Sequence, residues 1–215
     1  MFIENPLINL YKRHYNIYLC KKMLMRLRCL LMLIILFFVQ AAQAQDKIIP
    51  IDRSPMDMSY CPNNYPILKV QEKLKDSLIA RVIYSRPGKN GRAIFCDLVE
   101  YGKVWRIGAN EATEIEFFKN VLINRIKIKK GRYTLYAIPY ENKWTIIVNK
   151  EVDTWGSFMY NPKKDVARID VPVENTPQIT ENFSIYFDLN NKTALMNILW
   201  DNVKVAVPFT VDKNK

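Results

Sequence analysis

The chain has 215 residues, 49% of them hydrophobic, and a formal charge of +11 with a single histidine. That is enough for one domain and too short for two comfortable ones. The lone histidine, His14, lies in a segment expected to be removed. The remaining chain then cannot build a Ser-His-Asp triad, a Cys-His pair or a histidine-based zinc site, and no metal or other cofactor is expected.

The first element is a leader. Lys21, Lys22, Arg26 and Arg28 precede an apolar run from Leu30 to Val39, and Ala42 and Ala44 supply the small residues a signal peptidase reads. This is the pattern of a secretory signal peptide over residues 1–44, cleaved after Ala44, with Met23 or Met25 as alternative starts for an over-long leader. The alternative, an uncleaved anchor, is disfavoured because the apolar run is half the length of a spanning helix of roughly 20 residues. Cys20 and Cys29 lack the preceding small residue of a lipidation site. Removing 1–44, with six basic side chains and Glu4, lowers the charge from +11 to +6. Lysines spread over strand faces then account for the basic pI, and nucleic acid is not an expected partner. The expected location is periplasmic or extracellular, with membrane contact only through an uncleaved leader.

Residues 45–66 carry Pro50, Pro55, Pro62 and Pro66 and read as an irregular lead-in. From 67 to 211 the dominant signal is alternation, with 212–215 as a tail. Strands are predicted at 78–84, 103–107, 112–118, 121–124, 126–129, 132–138, 143–149, 166–173, 183–189, 193–200 and 203–209. The clearest is Phe183, Ile185, Phe187 and Leu189 against Ser184, Tyr186 and Asp188. Turns are predicted at Lys130-Gly131, Glu141-Asn142, Asn190-Asn191 and Asp201-Asn202. The only helix candidate beyond the leader is one turn near 153–160. Short strands without a βαβ rhythm predict an all-β fold, an antiparallel sandwich or jelly-roll-like barrel. Trp144, Trp200 and Phe117 are the expected core anchors.

Two cysteines survive the leader, Cys61 and Cys96. An exported protein permits a disulfide between them, and two separate buried thiols are the equal alternative. Glu114 and Glu116 share a strand face and read as a solvated pair rather than an acid/base couple. Gly88 to Arg92 lacks the Gly-Lys-Ser/Thr of a phosphate loop. Tyr101, Trp105 and Trp155 are sugar-stacking candidates that a β domain more commonly spends on its core.

The polar residues concentrate in one stretch, from Ser85 to Thr113. Arginine forks there suit a carboxylate or phosphate. Arg86, Arg92, Asp97, Arg106, Asn110, Glu111 and Thr113 are the candidate ligand-binding residues, expected to converge at one rim. Trp105 and Ile107 should face inward and Arg106 the opposite way unless a bulge turns it. The competing expectation is that these charges pair among themselves, Arg106 with Glu111 or Asp97, and merely pin two loops.

The segments Tyr84-Ser85-Arg86-Pro87, Gly91-Arg92-Ala93-Ile94-Phe95, Asp97-Leu98-Val99, Tyr101 to Arg106 and Gly108 to Thr113 resemble the family catalogued as domain of unknown function 2911. Gly131 to Leu135, Ile138-Pro139, Trp144 to Ile147 and Trp155-Gly156 extend the resemblance over about 54 to 209. It implies export from Gram-negative bacteria and a compact domain, and it supplies no catalytic role. Two positions depart from the family pattern: Cys96 stands where glycine is usual, and Glu100 where proline is common. A cysteine in a glycine position implies a backbone angle that glycine tolerates better. The functions in view are a binding module for a small polar or anionic ligand, a hydrolase using Glu111 and Asp97, and an envelope-associated structural protein.

Overall fold

A computed structural model describes residues 18–19, 21–34, 50–74, 77–191 and 193–212. The chain divides into two compact units, Met1–Pro50 and Ile51–Lys215. In the first, the described residues at 18–19 and 21–34 are helical and exposed. No helix among the described residues is long and apolar enough to cross a membrane. The Ala42–Ala44 cleavage signal lies outside the described residues.

Among the described residues the second unit holds nine strands: β1 (Met56–Cys61), β2 (Ala80–Ser85), β3 (Glu114–Phe117), β4 (Val121–Ile123), β5 (Ile126–Ile128), β6 (Gly131–Pro139), β7 (Lys143–Asn149), β8 (Asp165–Asn190) and β9 (Thr193–Val211). All pairings are antiparallel, as the alternation predicts. Helix in this unit is confined to α1 (Tyr65–Val70) and a 3-10 turn at Pro162–Lys164. The strands form one open sheet in the order β1-β2-β3-β6-β7-β8-β9-β4-β5. β8 pairs through Asp165–Pro172 with β7 and through Val173–Asn190 with β9.

The sheet curls so that its first strands reach the second half of β8. Ser59 Oγ on β1 and Tyr84 Oη on β2 both donate to the Ile185 carbonyl, at 2.5 and 3.1 Å. Aromatic rings fill the space this encloses. Phe117 on β3 meets Phe209 on β9 edge to face at 5.8 Å. Trp105 touches Trp144, Phe183 and Trp200 at 5.6, 5.5 and 6.1 Å. Trp144, Trp200 and Phe117 are each no more than 2% exposed. Each such ring contact adds about 0.5–1.5 kcal/mol to the area term.

Several local expectations are corrected. The lead-in contains β1, whose Asp57 and Ser59 make tertiary hydrogen bonds, whose Met56 sulfur accepts from Ser85 Oγ and whose Cys61 is buried in the core. Residues 103–107 are not a strand: a single bridge joins Trp105 to Ala137, and the chain leaves extended geometry at Ile107, where φ is +55°. Residues 156–159 form a turn rather than helix. Asp201 has φ +56° but sits within continuous β9, so the predicted turn is an irregularity in one strand. Asn191, at φ +55°, closes the β8–β9 hairpin as expected. Cys61 and Cys96 are not bonded to each other. Cys61 is buried in the core cluster and Cys96 is exposed on a loop.

Candidate functional site

Two loops and one short N-terminal segment build the site. The first loop, residues 86–92, is zipped onto β8. Lys89 N donates to the Glu181 carbonyl at 2.8 Å, Asn90 N to the Glu181 carboxylate at 2.7 Å, and Phe183 N to the Pro87 carbonyl at 3.0 Å. Asn90-Gly91 turns the chain with φ +50° and +71°, the pair of positive angles that Asn-Gly adopts at least cost. Arg92 then folds back over the loop. Its Nε and Nη2 donate to the Lys89 and Gly88 carbonyls at 3.0 and 2.6 Å, which fixes its position and leaves its charge unneutralised.

The second loop, residues 105–113, is closed by Thr113. Its amide donates to the Arg106 carbonyl at 3.1 Å and its buried hydroxyl to the Ile107 carbonyl. Between these ties the backbone is unusual. Ile107 is a β-branched residue in the left-handed region, fully buried, a conformation that costs on the order of 1–3 kcal/mol. Gly108 follows at φ +148°, and a Cβ there would lie 3.2 Å from the Ser85 carbonyl oxygen. Ser85 Oγ in turn donates to the Ala109 carbonyl at 2.7 Å. The tight approach of this loop to β2 therefore requires glycine. The third piece, residues 52–54, is attached by Asn110, whose Nδ2 donates to Asp52 at 3.1 Å.

Together with Leu98, Val99 and Trp200 these pieces line a cavity of about 230 Å³. Arg92 and Arg106 are its two charged residues, and Trp105 and Trp200 are its aromatic ones. Trp105 Nε1 donates to the Gly108 carbonyl, and Trp200 Nε1 to the Glu181 carbonyl, both at 3.3 Å. Both indole N–H groups are thus occupied, and both rings are buried, at 8% and 2% exposure.

Arg106 is the distinctive residue. Among the described residues its guanidinium makes no hydrogen bond and no ion pair, and its Nε is buried without a partner. Burial pushes its pKa below the ordinary arginine value, yet the group remains a cation because arginine ionises so far above neutrality. Other partly buried cations of the domain are paired: Arg86 with Asp57 at 3.0 Å, Lys89 with Asp201 at 2.7 Å, Arg81 with Glu116 at 2.5 Å. A half-buried donor normally finds an acceptor, because an unmet one costs about 1–3 kcal/mol. Among the described residues no carboxylate lines this cavity.

The seven sequence candidates separate into distinct environments. Arg92 and Arg106 share the cavity. Asn110 holds its wall through Asp52, and Thr113 is buried as the closing tie of the loop. Asp97 is exposed, next in sequence to the lining residue Leu98. Arg86 is a tether: besides Asp57 it donates to the Phe183 carbonyl at 3.1 Å and to Ser184 Oγ at 3.0 Å. Glu111 lines another cavity, of about 150 Å³, with Glu114 and Asp153. The expected pairing of Arg106 with Glu111 or Asp97 is not present among the described residues. Glu114 and Glu116 are engaged by Arg132 and Arg81, the former joined by Asp153. The contributors outside the marked Ser85–Thr113 stretch are Ser54 and Trp200. Ser54 belonged to a segment read as irregular, and the Asn110–Asp52 bond together with the β1–β2 pairing that starts at Met56 brings it here.

The family profile described as Protein of unknown function (DUF2911) matches residues 66–209. The chain belongs to this family. The match spans both loops and every strand from β2 to β8, together with most of β9. Cys96, where the resemblance leads one to expect glycine, has φ +75°, a region that glycine tolerates better. No significant match was found among curated proteins or among solved structures.

Proposed function

We propose that this domain is a binding module for a small anionic ligand, held at the cavity of Arg92 and Arg106, in a protein exported by the leader at 1–44. The observation that carries this reading is the unpartnered Arg106 guanidinium in a cavity without a carboxylate. A buried donor lacking an acceptor in the protein is poised for one supplied by a ligand, and a guanidinium fork matches planar or tetrahedral oxyanions. The strained backbone at Ile107 supports the reading. Strain of this kind is retained where it places a side chain for use, here the adjoining Arg106. Export is supported by the basic stretch, the short apolar run and the Ala-x-Ala signal.

The test is Arg106→Ala, read by thermal shift against small anions and by urea unfolding. The ligand-induced rise in melting temperature should vanish in the variant. Stability itself should move by less than about 1 kcal/mol, because no intramolecular partner is stranded. A loss of about 1–3 kcal/mol together with no anion response in the wild type would mean that Arg106 only braces the loops.

A further inference from the structure

The segment between β7 and β8 is tied at its neck and carries carbon at its tip. Lys150 N donates to the Lys164 carbonyl at 2.9 Å and Asn149 Nδ2 to the Asn161 carbonyl at 3.0 Å. Residues 150–164 therefore form a loop whose ends meet. The tip is fixed to residues 104–112. Ala112 N donates to the Thr154 carbonyl at 3.0 Å, Gly156 N to the Asn110 carbonyl at 2.9 Å, and Ser157 Oγ to the Val104 carbonyl at 3.0 Å. Tyr160 turns inward onto Tyr136, with ring centroids 5.1 Å apart. Trp155, Phe158 and Met159 are left outside, at 59%, 83% and 76% exposure. Gly156, at φ +64°, makes room for this arrangement. A Cβ there would lie 2.8 Å from the Phe158 ring, so the ring rests on the residue that follows Trp155.

We propose that this tip docks the folded domain on an anionic lipid bilayer, a contact that sequence reasoning confines to the leader. Contiguous carbon held in water by backbone bonds marks an interaction site. Its area decides against a second copy of the chain. Three such side chains expose on the order of 400 Å², about half of the 800 Å² or so that each partner of a stable complex contributes. The tip is a turn, and none of its three exposed side chains lines either cavity described above. A wedge of tryptophan, phenylalanine and methionine suits the boundary between headgroups and acyl chains, where tryptophan is enriched. The charges suit an anionic surface. Glu151, Asp153 and Asp165 are paired with Lys164, Arg132 and Arg168. Lys150 and Lys163, at the neck, are left without a carboxylate among the described residues. Glu111, bridged to Trp155 through the backbone, is an exposed acid nearby, and it lines the cavity of Glu114 and Asp153. The two free lysines outnumber it.

Tryptophan fluorescence singles out the tip. Trp105, Trp144 and Trp200 are buried, Trp155 is exposed, and the leader contains no tryptophan. The full-length chain is titrated with vesicles of phosphatidylcholine alone and of equal parts phosphatidylcholine and phosphatidylglycerol, each with and without brominated acyl chains. Bromine quenches only a tryptophan that reaches the acyl region, so a leader that binds vesicles by itself does not produce the signal. Quenching is expected in the mixed vesicles, at least fivefold weaker with phosphatidylcholine alone, and absent in Trp155→Phe. The double variant Phe158→Ser, Met159→Ser should weaken it at least tenfold. Lys150→Ala with Lys163→Ala should weaken it at least about fivefold, as expected for two basic side chains near an anionic surface. Sedimentation with vesicles but no quenching, quenching that persists in Trp155→Phe, or quenching untouched in both double variants would overturn the proposal. Equal quenching in the two lipid compositions would overturn its anionic part. A dimer in analytical ultracentrifugation that Phe158→Ser, Met159→Ser dissolves, without quenching in the parent chain, would assign the tip to a second copy instead.

Discussion

Single residues in this domain report on backbone geometry as much as on chemistry. Cys96 occupies a left-handed conformation, φ +75°, on an exposed loop where its side chain forms no disulfide. A non-glycine residue pays about 1–2 kcal/mol for that region, partly offset by the greater freedom glycine loses on folding. Cys96→Gly should therefore raise stability by roughly 0.5–1 kcal/mol, measured by urea unfolding. A decrease would mean that the thiol packs more than its exposure suggests. The same contrast gives a second expectation. In the native protein an alkylating reagent should label Cys96 within the time that leaves Cys61 untouched, since Cys61 is 0% exposed. Peptide mapping checks this, and equal labelling would contradict the placement of Cys61 in the core. The angle at Cys96 was legible in the sequence, because a cysteine in a glycine position announces its cost. The angle at Ile107 was not: Trp105 and Ile107 alternate like a strand, and nothing local marks Ile107 as the point where the chain turns. The pair did face inward as parity predicts, at 8% and 0% exposure.

At the scale of elements, the strands that sequence alternation found are those with one carbon face and one polar face. Phe183, Ile185 and Phe187 are buried on β8, and Val203, Val205, Val207 and Phe209 on β9. β1 escaped because its pattern is inverted. Met56 and Met58 are exposed, and Asp57 and Ser59 make the inward hydrogen bonds. Period two was present in Met-Asp-Met-Ser, but flanking prolines at 55 and 62 outweighed it. The strand is held by its ladder with β2, by buried Cys61 and by tertiary polar contacts, none of which a window of sequence contains. Arg86 is central to them, joining Asp57 on β1 to the Phe183 carbonyl and Ser184 on β8. Arg86→Ala should cost about 1–2 kcal/mol, mainly by leaving the Phe183 carbonyl and Ser184 with fewer donors, since the Asp57 pair is partly exposed and worth little by itself. Hydrogen exchange should show faster opening at residues 56–61 in particular. Unchanged stability would show that Ser59 and Tyr84 alone hold this edge. The candidate site was half legible for a related reason. Sequence marked Arg92 and Arg106 as rich in donors, but whether each had an internal acceptor depended on where Asp57, Glu111 and Asp97 were placed by the fold.

Over the whole molecule, the tyrosines set an alkaline limit. Burial, together with a hydrogen bond to Asp165, pushes the Tyr160 hydroxyl up to about 12. Tyr84, Tyr133 and Tyr136 are also raised, each by burial first. An unfolded tyrosine ionises near pH 10. The folded state therefore holds these protons more tightly, and its advantage is complete below about pH 10 and lost as pH rises toward about 12. Urea midpoints should fall steadily above about pH 10, with tyrosinate absorbance appearing together with unfolding. A flat midpoint across that range would contradict the burial of these rings. Tyr160→Phe should make the decline shallower.

The shared strand β8 and its partner β9 also dictate when the domain can exist. β4 finds its neighbour in β9, Val121 opposite Val211, and Phe117 finds Phe209. These contacts span some ninety residues of chain, so their closure entropy must be met before they contribute. A nascent polypeptide that has reached the end of β7 has the tryptophan of that strand but neither Phe183 nor Trp200 to pack against Trp105. Synthesis must deliver nearly every residue of the matched segment before the core can shut. Until then the cavity of Arg106 lacks its Trp200 wall.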